Sequence, residues 1–255
     1  AMDRNSILRQ MGITQWVLRD VQPGTPAREE QGSSRPESEA GRAAALLSPQ
    51  PPAAEMAPEA LQDTDTPTVS TPLTLEELRE QVSTCSACEL ANSRTHTVFG
   101  EGPARADWLF VGEAPGQQED RQGKPFVGRA GGLLSQILGA LGQSREQVFI
   151  ANMLKCRPPN NRDPLPAEIK ACESYLLQQI ALVQPRVMVA LGRISAQALL
   201  NTDQPLGKLR GRVHQYGPDK IPLIVTYHPA YLLRQPAEKG KVWADLLLAH
   251  RQIPS

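Results

Sequence analysis

The sequence predicts an α/β domain, a three-layer α/β/α sandwich around a mainly parallel four-stranded sheet. Three observations carry that expectation. From Thr74 onward, short apolar runs alternate with stretches of helical periodicity. The runs are continuously apolar, as strands buried on both faces are. Gly- and Pro-rich polar segments follow them, as loops at the carboxyl edge of a parallel sheet do.

Taken in order, residues 75–82 open a helix, with Thr74 as N-cap and Glu77, three residues on, completing a capping box. Residues 108–111, 148–151, 187–191 and 223–226 read as buried strands. Residues 130–141, 167–182, 194–200 and 241–250 carry helical spacing between and after them. The chemistry is then expected in the segments that leave the strands.

What precedes this region is different in kind. The 255-residue chain has 27 basic and 27 acidic side chains, but residues 1–72 hold six against ten. The remainder is therefore mildly basic, which permits nucleic-acid binding without requiring it. In residues 1–20, Ile7, Leu8 and Met11 share one helical face, and Ile13, Trp16 and Val17 repeat the spacing beyond Gly12. This stretch reads as an amphipathic docking motif. Residues 21–72 contain nine prolines and neither aromatic residue nor cysteine. Such a segment buries too little apolar surface to offset its ordering entropy, so a disordered acidic linker is expected. Residues 73–255 form the folded part. No apolar run reaches the roughly 18 residues of a membrane span, and no basic region followed by an apolar run marks a signal peptide. The expectation is a soluble cytoplasmic, nucleoid-associated protein with no membrane partner.

Three segments stand out beyond the strands. The first runs Gly112-Glu-Ala-Pro-Gly-Gln-Gln-Glu-Asp120 and continues to Pro125-Phe-Val-Gly-Arg-Ala-Gly131. The second is Asn152-Met-Leu-Lys-Cys-Arg-Pro-Pro-Asn-Asn-Arg162 and the third His228-Pro-Ala-Tyr-Leu-Leu-Arg234. All three fall at one sheet edge, where a pocket is expected. The four cysteines are Cys85-x-x-Cys88, Cys156 and Cys172. Two disulfides are not expected inside a cell, and a CxxC pair with two more thiols suggests a four-sulfur metal site. The spacing admits zinc and a [4Fe–4S] cluster alike.

Together these strings resemble the family 4 uracil-DNA glycosylases, the iron–sulfur branch of that superfamily, over roughly residues 75–249. The resemblance implies a [4Fe–4S] cluster on Cys85, Cys88, Cys156 and Cys172, structural rather than redox-catalytic. It implies excision of a flipped uracil from single- or double-stranded DNA by hydrolysis of the N-glycosidic bond. Phe126 would stack on the base and Asn152 would read its edge, since a carboxamide offers both a donor and an acceptor. His228 would stabilise the departing uracil anion, and Glu113 with the following turn would position water. Glu119 and Asn161 would brace the pocket, with Gly112 and Gly116 on its backbone wall. Tyr231, Leu232, Leu233 and Arg234 read as a wedge that fills the vacated stack and holds phosphate. Arg157, Arg162, Lys124, Arg129 and Lys155 are further candidates for phosphate contacts.

Arg9-Gln-Met-Gly-Ile-Thr-Gln-Trp-Val-Leu-Arg19 resembles the N-terminal segment of the psi subunit of the bacterial DNA polymerase III clamp loader. That resemblance implies docking on the clamp-loader collar, the chi subunit or single-strand binding protein. The alternative function is accordingly a psi-like accessory subunit built on a glycosylase scaffold. Glu113, Glu119, Phe126, Asn152, Asn161 and His228 are all present, which favours the enzyme, tethered to the replisome by its leader.

Overall fold

The computed structural model describes residues 74–253. Its central sheet has five strands in the order β2-β1-β3-β5-β4. They are β1 (Trp108–Gly112), β2 (Phe149–Asn152), β3 (Val187–Leu191), β4 (Val213–Tyr216) and β5 (Ile221–Thr226). The helices are α1 (Leu75–Ser83), α2 (Gln117–Gln122), α3 (Arg129–Ala140), α4 (Pro166–Val183), α5 (Arg193–Leu200), α6 (Leu206–Leu209), α7 (Pro229–Arg234) and α8 (Lys239–His250).

The four expected strands pair in parallel, and every residue of β1, β2 and β3 is buried. Alternate side chains feed two cores, following the period of two along a strand. Trp108, Phe110, Ile150, Val189 and Ile224 face one way and meet α3 and α8 through Leu134, Ile137, Leu138, Val242 and Leu246. Leu109, Val111, Phe149, Met188 and Val225 face the other way and meet α1, α4 and α5 through Leu78, Val82, Leu176, Ile180, Ala196 and Leu199. The capping box at α1 is in place, with Thr74 Oγ1 accepting from Glu77 N–H at 3.2 Å and Glu77 Oε2 accepting from Thr74 N–H at 3.0 Å.

The expected four strands are corrected to five. β4 runs antiparallel along the outer edge of β5. Val213-His-Gln-Tyr216 is short, polar and only half-covered, so it lacks the apolar run that marks its neighbours. Residues 1–72, with the docking motif and the linker, lie outside the described residues. Among the described residues no helix is long and apolar enough to cross a membrane.

Candidate active site

Strands β1 and β2 are in register, with Gly112 opposite Asn152, so both chains leave the sheet at the same level. A methyl group on Gly112 would run into Asn152 Oδ1 and come within 2.7 Å of the Phe126 ring. Only glycine lets those two side chains close over the strand end. Asn152 is 2% exposed, and its Oδ1 is buried without a hydrogen-bond partner. Leaving a buried acceptor unpaired costs about 1–3 kcal/mol, and such an atom calls for a functional explanation.

Phe126 sits across from it with a left-handed φ of 52°. A non-glycine residue there stores about 1–3 kcal/mol of strain, a feature that concentrates at ligand clamps. The conformation is held from outside. Arg145 donates to the carbonyls of Phe126 (3.1 Å) and Pro125 (2.7 Å) and pairs with Glu101 at 2.9 Å. Glu119, in α2, accepts from the backbone N–H groups of Val127 (2.9 Å) and Gly128 (3.0 Å) and so fixes the other side of the turn. Gly116 is the N-cap of α2.

His228 caps α7, and its Nδ1 accepts from Ala230 N–H at 3.1 Å. In a neutral ring that leaves the proton on Nε2. Burial pushes the imidazole pKa down to about 4; the Arg234 charge adds to the effect and Glu119 opposes it. The ring is therefore neutral near pH 7. Its centroid lies 5.5 Å from that of Phe126, with 30° between the planes. Two residues before His228, at the end of β5, Thr226 Oγ1 donates to the fully buried Asp245 carboxylate (2.7 Å), which also accepts from Arg210 (2.6 Å).

Asn160 and Asn161 both take left-handed φ values, 55° and 52°, a region asparagine tolerates better than most residues. Arg157 Nε donates to Asn161 Oδ1 at 2.6 Å and orients the carboxamide. Glu113 follows Gly112 directly. Burial raises its pKa to about 7, helped by the nearby Asp163 charge and opposed by Arg193. Arg193 and Asp163 are themselves paired at 2.9 Å.

Glu113, Gly116, Glu119, Phe126, Asn152, Asn161, His228, Tyr231 and Arg234 all line one cavity of about 540 Å³. Three separate loops thus meet at the carboxyl edge of the sheet, at the size usual for a small-molecule site. Two expectations are corrected. Leu232 is fully buried in the core on the α3 and α8 side, because consecutive helical residues point about 100° apart and Leu232 turns inward where Leu233 does not. Leu233 is 38% exposed and remains available at the surface. Lys155 is 1% exposed and has no route to a phosphate.

The cysteines gather at a second place. Cys85, Cys88, Cys156 and Cys172 line one small cavity with Arg94, Lys155 and Tyr175. Cys85 and Cys88 follow α1, Cys156 lies after β2, and Cys172 is in α4. Arg94 Nη1 donates to Cys156 Sγ at 3.2 Å and Lys155 N–H to Cys172 Sγ at 3.3 Å. Burial pushes both thiols upward, Cys172 to about 11. Among the described residues, no three His, Cys, Asp or Glu side chains converge tightly enough to hold a single ion.

Residues 99–247 match the family model described as "Uracil DNA glycosylase superfamily". This chain belongs to that superfamily. As a member it is a DNA glycosylase, hence an enzyme. A type-4 uracil-DNA glycosylase of Pyrobaculum aerophilum is 44% identical over 180 residues, covering 68% of this glycosylase and 92% of the relative. Another, of Archaeoglobus fulgidus, is 42% identical over 178 residues, covering 67% and 89%. A third, of Thermotoga maritima, is 46% identical over 162 residues, covering 63% and 83%. The matched region of the glycosylase begins well after residues 1–20.

Several residues of the glycosylase site escape a reading of the sequence. Arg145 clamps the Phe126 turn from a short helical turn 19 residues on, and nothing local marks it. Gly131, by contrast, sits in the Pro125–Gly131 string, and a methyl group there would collide with the Phe126 carbonyl. Asp163 and Arg193 act on Glu113 only because the ends of β1, β2 and β3 are adjacent.

Proposed function

We propose that the protein is a uracil-DNA glycosylase, hydrolysing the N-glycosidic bond of deoxyuridine extruded from DNA. The observation that carries this reading is the unpaired Asn152 Oδ1, buried in the wall of the cavity. Uracil presents an N3–H donor beside the O4 acceptor, the complement of a carboxamide. Cytosine presents an acceptor at N3 and a donor at N4, and would leave both amide groups mispaired at about 1–3 kcal/mol each.

The remaining groups supply the other requirements of the reaction. An extruded base costs a few kcal/mol in lost stacking, and the Phe126 ring offers a replacement face. Bond cleavage leaves negative charge on uracil O2. A neutral His228 with its proton on Nε2 donates a hydrogen bond there, worth about 3 kcal/mol in an enclosed site. Glu113 as carboxylate accepts from the attacking water and holds it against the sugar; the Asn161 carboxamide, oriented by Arg157, closes that wall. Glu119, bound to the Val127 and Gly128 amides, keeps the cavity tight. Leu233 and Arg234 are exposed on α7 at the rim, placed for the vacated stack and the phosphate.

The four cysteines suit a [4Fe–4S] cluster, which we assign to them as a structural group. The donor set is four thiols in a wall without carboxylates. Bound there, the cluster ties the end of α1 to the loop after β2 and to α4.

The test is release of uracil from single- and double-stranded oligonucleotides, against the same oligonucleotides carrying cytosine. Release of uracil alone supports the reading; release of neither base rejects it. Docking of residues 1–20 on a clamp loader is a separate proposal, supported by the spacing of Ile7, Leu8, Met11, Ile13, Trp16 and Val17. It is tested by pull-down with and without that segment, and the binding-only alternative is not favoured.

A further inference from the structure

Lys155 is an unusual residue to bury. It is 1% exposed, and its Nζ donates to two neutral oxygens, the Asn152 carbonyl (2.8 Å) and Gln179 Oε1 (2.6 Å). Gln179, itself fully buried, donates onward to the Phe99 carbonyl at 2.7 Å. A buried ammonium is strongly unfavourable without an opposite charge. Among the described residues, no carboxylate appears in the cavity wall that Lys155 shares with the cysteines. What that wall does contain is four sulfurs and a second cation, Arg94, bonded to Cys156 Sγ.

We infer that Lys155 joins the four-thiolate centre to the base-reading asparagine. Its charge, with that of Arg94, balances the centre, while its Nζ fixes the Asn152 peptide at the end of β2. The inference rests on the iron–sulfur assignment above. Four thiolates on an oxidised [4Fe–4S] core carry about −2 overall, and Arg94 and Lys155 supply two positive charges at its edge. The two residues differ in what else they hold. Among the described residues, Arg94 reaches the Ser83 carbonyl besides its sulfur. Lys155 reaches the residue whose side chain lines the base cavity. It touches no substrate, and is a positioning residue.

The contrast gives the experiment. Three variants of the full-length holoprotein, Arg94→Met, Gln179→Leu and Lys155→Met, are followed by two readouts. One is the rate at which an iron chelator bleaches the visible absorbance. The other is KM and kcat for uracil release from a single-stranded oligonucleotide. Arg94→Met should bleach about 10-fold faster, the usual loss for an outer-shell partner of a metal site, with KM unchanged. Gln179→Leu loosens Nζ but keeps the charge, so KM should rise more than kcat falls while bleaching stays at the wild-type rate. Lys155→Met should show both effects. A Lys155→Met protein matching wild type in either readout overturns the inference. Should that variant not accumulate folded, Arg94→Met with wild-type bleaching or Gln179→Leu with wild-type KM overturns it instead. A colourless, iron-free wild-type protein removes the centre and this role with it; a brown wild type with indifferent variants removes the role alone.

Discussion

Glu113 makes the pH dependence of uracil release a direct test of the site. Its carboxyl is held up to about 7 by burial and by Asp163, against Arg193. Holding a water by accepting its hydrogen requires the carboxylate, which predominates above that value. Log kcat/KM should therefore climb with unit slope from pH 5 and flatten above pH 8. At pH 5 only about 1% of the molecules carry the carboxylate, a rate about 100-fold below the plateau. His228, pushed down to about 4 by burial, is neutral over most of this window and should add no limb to it. Asp163→Asn removes a like charge and should move the midpoint down. Arg193→Gln removes the opposing charge and also frees Asp163 from its 2.9 Å partner, so the midpoint should move up. Single-turnover release across pH 5–9 measures all three. A flat profile, or a limb that survives in Glu113→Gln, refutes the reasoning.

Other perturbations test other parts of the molecule. Gly112→Ala puts a methyl against Asn152 Oδ1 and the Phe126 ring; an overpacking penalty of about 1–3 kcal/mol should appear as lost kcat/KM with little change in circular dichroism. His228→Ala should reduce kcat by about 100-fold or more while oligonucleotide binding, read by anisotropy, persists. Arg210→Ala takes away the cation paired with the buried Asp245 carboxylate and leaves it with the Thr226 hydroxyl and the Gly211 backbone N–H. It should cost about 3–5 kcal/mol in urea melts and also weaken catalysis, because Thr226 ends the strand that delivers His228. Removing residues 1–72 should leave kcat/KM unchanged, since every group lining the cavity lies between Glu113 and Arg234.

Much of this arrangement was legible before any coordinates. Residues 108–111 and 187–191 announce themselves because a strand covered on both faces has no polar positions. The loops after them could be placed at one edge because parallel strands all end there. β4 was illegible for the complementary reason: at the sheet margin its side chains meet water, and its pairing with β5 is written in backbone hydrogen bonds. Leu232 shows a further limit. Tyr231-Leu-Leu-Arg234 reads as one adhesive string, yet the step of about 100° between neighbours on α7 sends Leu232 into the core and leaves Leu233 outside. Lys155 reads as a candidate phosphate contact because it stands beside basic residues in a polar loop. The Gln179 side chain and Asn152 carbonyl that receive it belong to packing that no local pattern records.

The Nδ1 of His228 is occupied by the peptide N–H of Ala230, two residues along its own chain. In many catalytic histidines a carboxylate selects the tautomer, and replacing that acid abolishes the choice. Here the selector is main chain, common to nineteen of the twenty amino acids. The Nε2 proton is thus insulated from side-chain drift at the helix start, and for the role proposed for His228 this arrangement brings no second negative charge to the side where a base anion would leave.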